Sequence, residues 1–108
     1  MKPINLPIFP LKLVVLPGTL QGLQIFEPRY LNMVKQCMSN ASNFVISYKS
    51  DRFDDFDFGI EKVGTSVQIV DFNNLPNGLL GITVKAESKV SLNNIIQLED
   101  ESYLGEVL

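Results

Sequence analysis

Apolar residues alternate with polar ones through most of this chain and recur at helical spacing in one stretch only. Ile4, Leu6 and Ile8 fall on one side of residues 4–9, among prolines at 3, 7 and 10. Proline has no amide to give to a ladder, so the pattern predicts an edge strand or extended segment. Leu11 to Leu16 is a second apolar stretch, closed by the turn signal Pro17-Gly18, and Leu20 to Phe26 is a third. The period then changes. Glu27-Pro28 opens a helix, because proline suits the first helical position, where its missing amide has no partner anyway. Tyr30, Leu31, Met33, Val34, Cys37 and Met38 form a wide apolar stripe, Arg29, Asn32, Lys35 and Gln36 fill the other face, and Ser39-Asn40 is the expected stop.

Strand patterns resume at Phe44 to Lys49 and at Val63 to Phe72, separated by an acidic loop from Ser50 to Phe58. Asn73-Asn74-Leu75-Pro76-Asn77-Gly78 reads as a hairpin, with Asn77-Gly78 supplying the positive φ that a tight turn needs. Leu79 to Ala86, Lys89 to Leu98 and Tyr103 to Leu108 read as three further strands. The expectation is a mainly β chain with one early α-helix, an α+β unit forming a small, partly open β-barrel that the helix plugs or caps.

The chain is 108 residues long, with 45% hydrophobic and 19% charged residues, which fits one globular domain over 1–108. Its net charge is −3, and Arg29 and Arg52 are its only arginines. No basic patch of the kind that displaces phosphate counterions is visible, so nucleic acid is not an expected partner. A single cysteine, Cys37, excludes an internal disulfide and fits a reducing cytoplasm. No apolar run is long enough to span a bilayer, so no membrane association is expected.

The search for chemistry excludes more than it finds. Without histidine, no Ser-His or Cys-His nucleophile can form. No serine stands three residues ahead of a lysine, and no G-x-x-x-x-G-K-[ST] loop is present to cradle ATP. One cysteine and no histidine do not make a zinc site. Asp55 and Asp57 begin like a calcium loop, but Gly59 takes the next ligand position, so a solvated loop is the better reading. Cys37, on the apolar helix face, reads as a small buried hydrophobe. The expectation is no catalytic residue, no metal and no cofactor.

Several words in the first half are specific. Leu6-Pro7-Ile8-Phe9-Pro10-Leu11, then Val15-Leu16-Pro17-Gly18, then Leu23-Gln24-Ile25-Phe26-Glu27-Pro28-Arg29-Tyr30 with Met33, resembles the opening signature of the amino-terminal, substrate-binding domain of the Lon protease family. Val63-Gly64-Thr65 and Leu75-Pro76-Asn77-Gly78 follow in the right order, so the resemblance covers nearly the whole chain. It implies a PUA-like fold and a free-standing bacterial relative whose role is to bind unfolded or partner proteins, without the ATPase and serine–lysine protease domains of full Lon proteases. There are departures: Gly22 stands where the family usually has proline, Asn77 replaces an aspartate, and Lys89-Val90-Ser91-Leu92 replaces an Arg-Phe-Arg-like stretch. Because family members usually continue into a helical half, the chain is also expected to be the β-rich half of a longer protein.

Within this signature Phe26, Glu27, Pro28, Arg29, Tyr30, Gly64, Asn77 and Gly78 read as fold-building. Phe26 is expected to staple against the helix, Glu27 to favour its amino terminus, and Arg29 to pair with a carboxylate on a neighbouring strand. Binding is assigned to exposed apolar surface or an open strand edge: Leu13, Val14 and Val15 with the Pro17-Gly18 turn, and the Leu75-Pro76 hairpin tip. Exposed edges would also permit self-association. The alternative function is RNA binding, by fold analogy with PUA-like domains, against which the acidic balance weighs.

Overall fold

The computed structural model describes residues 4–50 and 57–108. Its elements are β1 (Ile4–Leu11), β2 (Leu20–Ile25), α1 (Pro28–Asn40), β3 (Phe44–Lys49), β4 (Ile60–Asn74), β5 (Leu80–Gln97) and β6 (Tyr103–Val107). They form one sheet in the order β2-β5-β4-β3-β1-β6, and a further β5–β6 pairing brings it back on itself. The result is a partly closed sheet with β2 outside the closure, rather than a clean barrel.

The prolines do not make β1 an edge strand. β1 pairs antiparallel with β6 over residues 4–8 and parallel with β3 over residues 8–11. Pro7 and Pro10, three residues apart, turn their nitrogens to opposite edges. Pro7 precedes the first β3 partner and Pro10 lies past the last β6 partner, so no ladder amide is missed. The parallel β1–β3 pair needs a crossover, and the segment carrying β2 and α1 supplies it.

Residues 79–86 and 89–98 do not make two strands. They are one strand of 18 residues, β5. Ser66 pairs with Ser88 and Val67 with Ala86, so Glu87 is an extra residue taken up as a bulge. The early part of β5 pairs with β2 and its late part with β6, while β4 follows it along most of its length. The Asn77-Gly78 turn meets expectation: φ is 65° at Asn77 and 75° at Gly78.

Two apolar clusters form. Phe9, Phe44, Ile46, Val67, Ile82 and Val84 pack with Tyr30, Met33, Val34 and Cys37 of the helix, and with Val15. Ile8, Val45, Ile60, Leu92, Ile95 and Tyr103 make the second cluster, to which the helix contributes nothing. Alternation along β1 and β3 explains the division, since Ile8 and Phe9, like Val45 and Phe44, point to opposite faces. The helix therefore covers one core and does not plug a single interior.

Gly64, opposite Ser47 of β3, has no room for a side chain. A Cβ there would meet Val45 Cγ1 at 2.6 Å and the Ile46 carbonyl oxygen at 2.9 Å. Backbone cannot retreat as a flexible side chain can, so this position admits hydrogen alone.

The start of α1 corrects two expectations. Phe26 is 67% exposed and forms no staple, because Ile25 takes the inward position at the end of β2 and its neighbour must face out. Among the described residues, Arg29 finds no carboxylate on another strand. It donates to the Glu101 carbonyl at 2.9 Å and pairs with Glu27 of its own helix start at 3.4 Å. Its guanidinium also lies over the rings of Tyr30 and Tyr103, at 4.8 and 5.6 Å, tying the helix to the β5–β6 turn. Glu27 makes no side-chain cap; its carbonyl accepts from the Tyr30 and Leu31 amides instead. Tyr30 is buried against Phe9, and that burial pushes its phenol up to about 12.

Two outcomes follow from these contacts. Gly64→Ala is expected to lower stability by about 1–3 kcal/mol in urea denaturation, since overpacking at rigid backbone costs that much. Gly22→Ala, whose Cβ would meet nothing within 4 Å, should stay within about 0.5 kcal/mol of the parent. The folded state holds the Tyr30 proton more tightly than the unfolded chain, whose phenol keeps the ordinary value of 10.0. Its contribution is thus whole below that pH and declines as pH rises through about 12, by up to about 1.4 kcal/mol per unit. Denaturation midpoints across that range should fall less steeply in Tyr30→Phe.

Candidate functional site

The segment joining β1 to β2 has no regular structure, yet it is held firmly. Val15 is 5% exposed and packs into the core beneath the helix, whereas Val14 and Leu16 on either side are 71% and 64% exposed. The Thr65 hydroxyl, itself buried, donates to the Val15 carbonyl at 2.8 Å. At the far end the Gly18 amide donates to the Ala86 carbonyl and the Ala86 amide to the Thr19 carbonyl, so the segment enters β2 already paired with β5. Gly18 has a φ of +88°, the left-handed region that favours glycine.

Fixed in this way, the segment stands off β3, β4 and β5 and leaves a groove of about 170 Å³. Leu13, Val14, Val15, Leu16 and Pro17 form one wall; Ile46, Tyr48, Val63, Gly64 and Thr65 form the other, with Lys89 at its edge. Besides Pro17, four of these side chains are large, apolar or aromatic, and exposed: Val14, Leu16, Tyr48 and Val63. Their convergence on one concave site is more informative than any single exposed residue.

Two larger concavities differ in character. One, of about 340 Å³, lies between the end of α1 and β4, where Ser42, Gln68 and Asp71 are interspersed with Met38, Ile69 and Phe72. Cys37 reaches it, but burial pushes its thiol up, away from the thiolate a nucleophile needs. The other, of about 290 Å³, is bounded by Glu99, Asp100 and Tyr103 near the β5–β6 turn. Among the described residues no three acidic or cysteine side chains gather to hold a metal, and no helix is long and apolar enough to cross a membrane. The comparison with a calcium loop rests on Asp55, outside the described residues, as do Phe53 and Phe56. Phe58 is half-exposed and packs its ring 5.3 Å from that of Tyr103.

Of the residues assigned to binding, Leu13, Val14, Val15 and Pro17 come together, and they meet Gly64 from the structural set. Gly18 serves the turn beside the groove. Leu75 and Pro76 do not join them. They lie just past the far end of β4, on the order of 30 Å of extended strand from Thr65. Leu75 folds back on its own hairpin, within 3.3 Å of a Cβ placed at Gly81.

Sequence reasoning did not select Leu16, Ile46, Tyr48, Val63, Thr65 or Lys89. Leu16 was visible as the end of an apolar stretch. The others needed the β3–β4 and β4–β5 registers, which bring Ile46 beside Thr65 and Thr65 beside Lys89.

Residues 5–108 match the model of the ATP-dependent protease La (LON) substrate-binding domain. The chain belongs to this family. A Lon protease of Fusobacterium nucleatum is 24% identical over 102 residues, which are 91% of this chain and 13% of that protein. The crystal structure of a Lon N-terminal domain protein from Xanthomonas campestris superposes with a TM-score of 0.84 at 30% identity, covering 97% of this chain and 59% of that one. The N terminal domain of a Mycobacterium avium complex Lon protease shares the fold, with a TM-score of 0.72 at 15% identity over 97% of this chain and 54% of its own. The chain thus spans less than two thirds of each relative. The LON fold expected from the signature, mainly β with one early helix, is the fold found, and the family described is the substrate-binding part of the protease.

The Thr65 contact sets the position of the groove wall. Thr65→Val keeps the shape and removes the donor, so stability should drop by about 1 kcal/mol. Amide exchange in residues 13–17 should quicken more than in β3, as read by hydrogen-exchange mass spectrometry.

Proposed function

We propose that this LON domain is a non-catalytic binding module that holds unfolded or partner polypeptides in the groove beside Leu13–Pro17. The observation that carries the reading is the cluster of Val14, Leu16, Tyr48 and Val63, exposed together around a concave site whose backbone is anchored through Thr65. A folded domain keeps such side chains in water at a cost, and covering them with a partner's apolar groups recovers about 25 cal/mol for each Å² buried. The family description supports the same reading, since it places substrate binding in this domain of protease La. Catalysis has no support from the residues, as the chain has no histidine and the Cys37 thiol is buried. An unpaired buried cysteine suits a reducing cytoplasm.

Polypeptide binding is general here and does not require a fixed client sequence. β2 pairs only with β5 in the sheet, so its outer edge is the place for strand addition or self-association, separate from the groove.

The test is a client assay. The purified domain should slow aggregation of a chemically denatured protein, and Val14→Asp with Leu16→Asp should weaken client binding at least about tenfold, as expected for charges placed at an apolar contact. Pro76→Ser, at the remote hairpin tip, should leave binding as it was. Equal binding by the groove variant and the parent would remove the groove from the function.

A further inference from the structure

We infer that the groove selects polypeptide segments in which one large apolar residue stands beside an acidic side chain, whose carboxylate is held by Lys89. This rests on the groove being the binding site, and it names the class of segment bound there.

Size limits the apolar part. A cavity of about 150 Å³ holds a benzene ring, and the groove measures about 170 Å³. It therefore takes a single large aliphatic or aromatic side chain, with neighbouring residues left at the mouth among Val14, Leu16 and Tyr48.

Charge decides the neighbour. Among the described residues, Lys89 is the only charged side chain lining the groove. It stands directly across the ladder from Thr65, whose hydroxyl is already committed to the Val15 carbonyl. Among the described residues no carboxylate forms an ion pair with Lys89. An ammonium on a flexible stem accepts a carboxylate from a range of directions. When an apolar side chain fills the groove it displaces water around that ammonium, and the local charge pair strengthens as the effective dielectric falls.

The attraction is confined to this contact. The domain as a whole carries −3 and repels an acidic run, so one acid beside an apolar residue is favoured over several. At physiological salt the attraction fades beyond about 8 Å, so it acts at the contact itself.

The experiment uses fluorescein-labelled peptides of about ten residues, amidated at the carboxyl end, titrated with the domain in fluorescence anisotropy at about 0.05 and about 0.5 M salt. A peptide holding Phe-Asp should bind about threefold to fivefold tighter than its Phe-Asn twin at low salt, the range of a partly exposed charge pair, and the difference should shrink at high salt. The same domain carrying Lys89→Glu should reverse the order, preferring Phe-Lys to Phe-Asp, with an unchanged circular dichroism spectrum. Equal affinity of parent domain for Phe-Asp and Phe-Asn, with binding still abolished by Val14→Asp, overturns the selectivity and leaves the groove as the site. A preference for Phe-Asp that survives Lys89→Glu overturns the role of Lys89. If unamidated twins bind and the amidated peptides do not, the side-chain assignment is overturned, since the chain terminus is then the group recognised. Undiminished binding by Val14→Asp removes the groove itself.

Discussion

β5 has to satisfy three neighbours with one backbone, and the arrangement of the domain follows from how it does so. A straight strand cannot serve β2 at one end and β6 at the other while β4 follows it between them. The extra residue at Glu87 and the further irregularity between Asn93 and Ile96 supply the bends. Asn94 takes a φ of 49° at that second irregularity, a conformation that asparagine tolerates better than most residues. Because β5 bends, β6 can reach both β5 and β1, and the sheet closes over Ile8, Val45 and Leu92. Its early portion opens away from that closure and offers a second face, on which the helix lies.

The groove is a product of this division between the two cores. The segment after β1 must cover the helix-side core, and Val15 does so by entering it. Alternation then forces Val14 and Leu16 outward, whatever their affinity for water. A buried hydroxyl at Thr65 fixes the depth to which Val15 enters, and the tight approach at Gly64 keeps β4 close against β3 on the opposite wall. Exposed groove and core packing are thus two faces of one constraint: residues that make the domain stable also determine which of their neighbours remain exposed.

Much of the fold was legible in the sequence because local signals agreed with the tertiary outcome. The helix stripe from Tyr30 to Met38, the proline at its first position and the Asn77-Gly78 turn are all local, and all are found. The errors arose where distant pairing overrode local chemistry. Prolines argued for an edge, but the staggered overlap of β3 and β6 on β1 lets each proline face a gap. Glu87-Ser88 suggested a break, but β4 runs on beside it and a bulge absorbs the surplus residue. Phe26 satisfied the spacing for a staple, yet strand alternation from Ile25 outweighed it. For the groove, one wall was readable as an exposed apolar stretch. The opposing wall is assembled from β3, β4 and β5 by register, which no short-range pattern encodes.

The pairing of β1 with β6 has a kinetic meaning. Ile4 lies opposite Val107 and Ile8 opposite Tyr103, so these ladder bonds join residues far apart in sequence. On a ribosome, β1 would wait beside β3 with one side bare until β6 had emerged. Such non-local closure slows folding and lengthens the time for which a strand edge can meet the wrong neighbour. During its own synthesis the chain would then pass through a stage at which it presents the bare edge of an unfinished sheet.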